Sequence, residues 1–239
     1  MPKPPRPWIV MPHGPLRQLD DNLWTVDSVV PGIPGRNFPR TMGVVRLSDG
    51  TLLLHNAVPL GEPTMEALGK LGRIAWLVLP SAFHCIDAHA MAARTGARVL
   101  CPAAARGAVE QVVKVDGDYG SLPQDPAVRM EPIDGASNGE GVLVVRSGPR
   151  ASLLVCDLVL AVPHLPGFWG LLWRLLGFTG EPAPGPVWKR RVMTDAGAVR
   201  RTMLRLADEP GLVRLVPSHG PVLENAAAAL RGAAARLAG

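Results

Sequence analysis

Aromatic residues are scarce: one tyrosine, four phenylalanines and six tryptophans in 239 residues. Nucleic-acid-binding surfaces interleave stacking rings with a basic stripe. Here the formal charge is +5, but the arginines are scattered and cluster only briefly, as at Lys189-Arg190-Arg191. A nucleic-acid partner is therefore not expected. The basic balance suits an anionic small molecule or a membrane surface equally well. Cysteine is almost absent too. Cys85, Cys101 and Cys156 form no CxxC pair and, being odd in number, no closed disulfide framework. This predicts a reducing compartment. No apolar stretch near the N-terminus reaches the length of a signal peptide or membrane span, so a cytoplasmic location is expected.

What is abundant is proline and glycine, 25 and 26 residues, within a chain that is 47% hydrophobic and 19% charged. That balance predicts a globular protein with many turns. Residues 1–21 read as a proline-rich arm and 22–239 as one domain with an apolar insert near 164–180.

After Asn22, LWTVDSVV, a Pro/Gly loop and MGVVRLSDGTLLLHNAV predict a β-meander, with Asp49-Gly50 at a tight hairpin. A helix over 62–72, a buried strand RIAWLVLP, a helix from Asp87 and a strand ARVLCP form a βαβ pattern, which favours parallel pairing. The stretch 103–133 is weakly patterned, with a short helix in AAARGAVEQVVK. A second hairpin pairs GEGVLVVRS with ASLLVCDLVLAV around Gly148. A charged helix, the strand LVRLVP and an alanine-rich helix close the chain. Each half runs from β-hairpin towards α/β.

Three places put metal-ligating residue types just after or within apolar strands: His84, Asp87 and His89 after WLVLP, Asp157 in LLVCDLVL, and His219 in VPSHGPV. Strand ends are where loops assemble sites on a rigid frame. Imidazole and carboxylate suit zinc or iron, and a catalytic zinc keeps three protein ligands and one open position. Asp87 at a helix start can share a cavity with His84, whereas His89, two residues on, points away. His55, at the end of LLLHNAV, is either a support for a neighbouring ligand or a satisfied strand residue.

The order of these pieces resembles the metallo-β-lactamase superfamily, in a diverged branch, over about residues 22–219. The resemblance implies an α/β, four-layer αββα sandwich with Asp157 and His219 at ligand positions. The family's leading motif, His-x-His-x-Asp-His, is not intact. Ungapped, Ser81 and Phe83 replace its first two histidines, Cys85 its aspartate and Ile86 its last histidine, and Ala136 replaces the histidine of a Pro-Gly-His-Thr turn. This implies loss of the dinuclear site. The first functional expectation is a non-catalytic or binding protein with a small-molecule ligand. The alternative is a mononuclear hydrolase of an ester, amide or phosphoester, with one zinc or iron ion held by His84, Asp157 and His219, with Asp87 as a further candidate ligand and Asp157 as a ligand or as the catalytic base. In the structural alternative, His219 caps a turn, Asp157 satisfies backbone N–H groups and His84 packs against strand ends.

The insert GFWGLLWRLLGF, within Gly167–Phe178, is too short to span a bilayer. Its apolar faces carry one charge, Arg174. They suit a lid, peripheral membrane contact, self-association or packing on the domain's own core.

Overall fold

The computed structural model describes residues 6–31 and 38–237. The proline-glycine loop expected after Val30 falls mostly on 32–37, outside the described residues. Six strands form one sheet in chain order: β1 (Arg17–Asp20), β2 (Leu23–Val29), β3 (Pro39–Arg46), β4 (Leu52–His55), β5 (Ile74–Val78) and β6 (Arg98–Leu100). Pairing is antiparallel from β1 to β4, of which β2 to β4 are the expected meander, and parallel from β4 through β6. The second sheet contains β7 (Val128–Pro132), β8 (Gly141–Ser147), β9 (Arg150–Val155) and β10 (Leu212–Pro217) in the order β10-β9-β8-β7.

Strand side chains alternate between faces, and here both faces are apolar, so each sheet is buried twice. In β3 and β4, Met42, Val44, Leu52 and Leu54 face an outer core shared with the helices α1 (Glu62–Leu71) and α2 (Ala88–Thr95). Val45 and Leu53 face inward, meeting Leu143, Val145 and Leu154 of the other sheet. On the far side, Val142, Val144, Leu153 and Val155 pack against α5 (Pro186–Arg191), α6 (Ala196–Ala207) and α7 (Ala226–Ala235). The result is the expected α/β, four-layer αββα sandwich. Gly43 marks a close approach of the sheets: a β-carbon there would run into Leu154 Cδ2. Only glycine admits that contact without displacing Leu154.

Some elements escape the sequence pattern. β1 lies in the stretch read as an arm, and its half-exposed residues explain the weak signal. β7 falls in the weakly patterned stretch, where three partly exposed residues mask the alternation. α5 is only six residues long. In the expected helix near 106, only Arg106–Val109 is α-helical, as α3, after a 3-10 turn. The apolar insert forms α4 (Gly167–Leu175).

Candidate metal centre and apolar pocket

The site lies at one end of the sandwich, where β4, β5, β9 and β10 finish and β3 begins. After β5 the chain breaks into a 3-10 turn, Ala82–His84. Ser81 caps it, its Oγ accepting from the Phe83 N–H at 3.3 Å while its carbonyl accepts from the His84 N–H at 3.1 Å. This turn delivers His84. β9 ends at Val155, two residues before Asp157, so the aspartate follows the strand and does not lie within it. Past β10, the Ser218 N–H donates to the Val155 carbonyl at 2.8 Å and the Ala161 N–H to the His219 carbonyl at 2.9 Å. These bonds fix the turn that carries His219. A bond from the Thr41 N–H to the Ser218 carbonyl, 2.9 Å, links it to the other sheet.

His84, Asp157 and His219 converge. His84 Nε2 is 3.4 Å from Asp157 Oδ2, and His219 Nε2 is 3.7 Å from Asp157 Oδ1. The imidazole centroids are 5.1 Å apart.

The outer ring nitrogens determine what the inner ones present. His219 Nδ1 is 2.7 Å from the Pro39 carbonyl. A carbonyl only accepts, so Nδ1 carries the proton. His84 Nδ1 is 3.1 Å from Asn56 Oδ1. The amide's orientation is set by its other bonds: Nδ2 donates to the Thr41 carbonyl at 2.9 Å, and Oδ1 accepts from Arg40 Nε at 3.3 Å. His84 Nδ1 must therefore donate as well. In the neutral rings both Nε2 atoms are bare lone pairs aimed at a carboxylate. Three acceptors facing one another call for a cation or a proton between them.

Electrostatics keeps these donors available. Burial, reinforced by the charge of His84, pushes His219 down to about 4, so it is neutral near pH 7. Burial pushes the Asp157 carboxyl up, but His84 and then His219 pull it to a net value below its ordinary one, so it is ionised. Two imidazoles and one carboxylate, each turned by a hydrogen bond or loop, fit a single divalent metal and its usual supporting contacts.

Asp87 takes another role. Its carboxylate pairs with Arg40 at 2.6 Å and with Arg6 at 3.2 Å. Arg40 also donates to the Ala57 carbonyl, 2.7 Å, and to Asn56. Asp87 is thus joined to His84 through Arg40 and Asn56, and its charge is committed to arginine. His89 lines a separate recess with Arg6, Trp8 and Arg94. Ala136 packs against the helix-side core.

Three further residues of the site carried no distinct sequence signal. Cys156 offers its sulfur within 4.8 Å of ligand atoms of His84 and Asp157. Burial, with the charges of Asp157 and Glu140, pushes its thiol well above the ordinary range in the metal-free protein; a bound ion would reverse that, so the sulfur belongs with the candidate ligands. Its adjacency to Asp157 was the only available clue. Glu140 is buried beneath the centre, accepting from the Leu158 N–H at 3.1 Å and from Trp188 Nε1 at 2.9 Å. Burial and then the Asp157 charge push it up to about 8. Asn56 has φ of 58°, the left-handed region that asparagine tolerates better than most residues. His55, at the end of β4, is fully buried, and burial followed by the charge of His84 pushes it down to about 3.

Above the centre opens a cavity of about 410 Å³. Its polar floor is Arg40, His84, Asp157 and His219, and its walls are apolar, including Val30, Phe38, Leu160, Trp173 and Phe178. Concave apolar walls with a few convergent polar groups are the usual form of a small-molecule site.

No family model matches the sequence, and no curated protein matches it. Similarity emerges in three dimensions. The metallo-β-lactamase DIM-1 aligns with TM-score 0.65 and 13% identity, covering 95% of this chain and 98% of that one. FIM-1 from Pseudomonas aeruginosa, solved in its mono-zinc form, aligns with TM-score 0.61 and 14% identity, over 95% and 96% of the two chains. A metallo-β-lactamase from Erythrobacter litoralis aligns with TM-score 0.59 and 11% identity, over 92% of each.

Proposed function

The chain carries the metallo-β-lactamase fold, and on that premise we propose that it is a mononuclear metal-dependent hydrolase acting on an ester, amide or phosphoester with an apolar substituent. The observation that carries this reading is the pair of bare Nε2 atoms, His84 and His219, within 3.7 Å of the Asp157 carboxylate. A single cation between them would satisfy all three acceptors. The absence of histidine at 81, 83 and 136 argues against a second.

His84, His219 and Asp157 would hold the ion, which supplies Lewis acidity and a nucleophile at neutral pH. The remaining work belongs to the chain. Asn56 and the Pro39 carbonyl keep both imidazoles turned inward. An Asp157 oxygen not taken by the ion would accept a proton from water at the cavity floor. Val30, Leu160 and Trp173 exclude bulk water and hold the substrate's apolar part, leaving its polar group against the floor. Glu140 secures the loop after Asp157 together with the Trp188 wall.

A second reading is favoured by the His84–Asp157 contact itself. A proton on His84 Nε2 would satisfy the carboxylate without metal, leaving an ion pair at the base of a non-catalytic binding pocket. Metal content separates the two. Protein purified without chelator is expected to hold about one equivalent of zinc or iron and to lose it in both H219A and D157A. Hydrolysis of a p-nitrophenyl ester should disappear with the metal. Metal-free protein whose melting temperature is unmoved by added zinc or iron would overturn the hydrolase reading.

A further inference from the structure

Helix α4 lies beside the pocket with half of its apolar surface uncovered. Trp173 is its packing side, 5.4 Å from the Phe38 ring and 5.2 Å from Phe178. The opposite side opens to solvent: Phe168 is 74% exposed, Leu175 75% and Leu171 56%. The apolar rim continues across the mouth, where Phe83 and Val187 both line the cavity and face outward. Contiguous exposed apolar surface of this kind marks an interaction face.

Charge selects the occupant. From His164 to Gly180 there is no aspartate or glutamate, and Arg174 is the one formal charge. The turn that follows α4 abuts α5: a β-carbon on Gly177 would lie 3.6 Å from Pro186. α5 exposes Lys189, Arg190 and Arg191. A second copy presenting the same face would bring like charges together. An anionic bilayer instead meets the large apolar side chains with acyl chains and the basic ones with headgroups. Among the described residues no helix is long and apolar enough to cross a membrane. A nine-residue helix is about 13 Å long and suits the plane of the interface.

We infer that α4 is an interfacial helix that docks the mouth of the pocket on an anionic lipid surface, so that apolar chains enter the cavity directly from the bilayer. The docking rests on α4, α5 and the pocket rim and is independent of the metal reading.

The full chain should be centrifuged with phosphatidylcholine vesicles, with and without roughly a third phosphatidylglycerol. It is expected to pellet with the anionic vesicles and to remain in solution with the neutral ones. Two double variants, F168D/L175D and K189E/R190E, should each weaken that binding about tenfold or more. Because these side chains are exposed, melting temperature and metal content should stay at wild-type values, which separates this test from that of the metal centre. Wild-type protein that stays in solution with anionic vesicles, or both variants binding as wild type does, would overturn the inference. So would a wild-type dimer in light scattering that F168D/L175D converts to monomer, since that assigns the face to self-association.

Discussion

His84 and His219 face each other across the Asp157 carboxylate, their Nε2 atoms 3.4 and 3.7 Å from its two oxygens. They come from opposite sheets, one following β5 and the other β10. Each is oriented by a bond at its far nitrogen, one to a side chain and one to a backbone carbonyl. The centre is therefore a junction between the sheets, and its geometry depends on the contacts that hold that junction.

The first of those contacts is Asn56. Replacing it by glycine keeps the left-handed backbone without strain and removes the acceptor for His84 Nδ1 together with the side-chain bonds to the Thr41 carbonyl and Arg40 Nε. Zinc affinity measured by competition with a chromophoric chelator should fall about 10- to 100-fold, the usual cost of losing a contact that orients a ligand. Unchanged affinity would show that His84 is fixed by packing alone.

Asp87 gives the complementary case. Both it and Arg40 are 2% exposed and pair at 2.6 Å, so D87A leaves a buried guanidinium without its carboxylate. A loss of about 3–5 kcal/mol is expected in urea unfolding of the metal-free protein. Metal stoichiometry in the folded variant should stay at the wild-type value. Loss of the metal from protein that remains folded would return Asp87 to the ligand set.

His55 should give the metal-free protein a weakness in acid. Its folded-state value, about 3, lies below the ordinary 6.5, so between those limits the unfolded chain binds the proton more readily. Stability is then complete above about pH 6.5 and falls as the pH drops towards 3, by about 2 kcal/mol on reaching pH 5. H55L removes the titrating group and should flatten that limb in melts run from pH 7 to pH 5. An unaltered slope would place the acid sensitivity elsewhere, with His219 the next group to examine because it is held near 4.

The sequence by itself determined the layers. Two-residue alternation with apolar residues on both faces, as in Met42 to Val45 and Val142 to Val145, requires sheets covered on both sides. Asp49-Gly50 and Gly148 mark where the hairpins turn. It also placed His84 and His219 just after apolar strands, because a histidine closing an apolar run is visible without coordinates, whereas Asp157 reads as lying within its strand and the structure sets it two residues beyond. Tertiary structure alone decided which of these polar groups meet. Asp87, three residues from His84, turns to Arg40, whereas His219, 135 residues away, shares Asp157 with it. Asn56, Glu140 and the Pro39 carbonyl join the centre for the same reason. A hydrogen bond or ligand contact depends on distances of a few ångströms between loops of different strands, and those distances are set by how two twisted sheets pack, with Gly43 against Leu154 and Thr41 bonded to Ser218 between them.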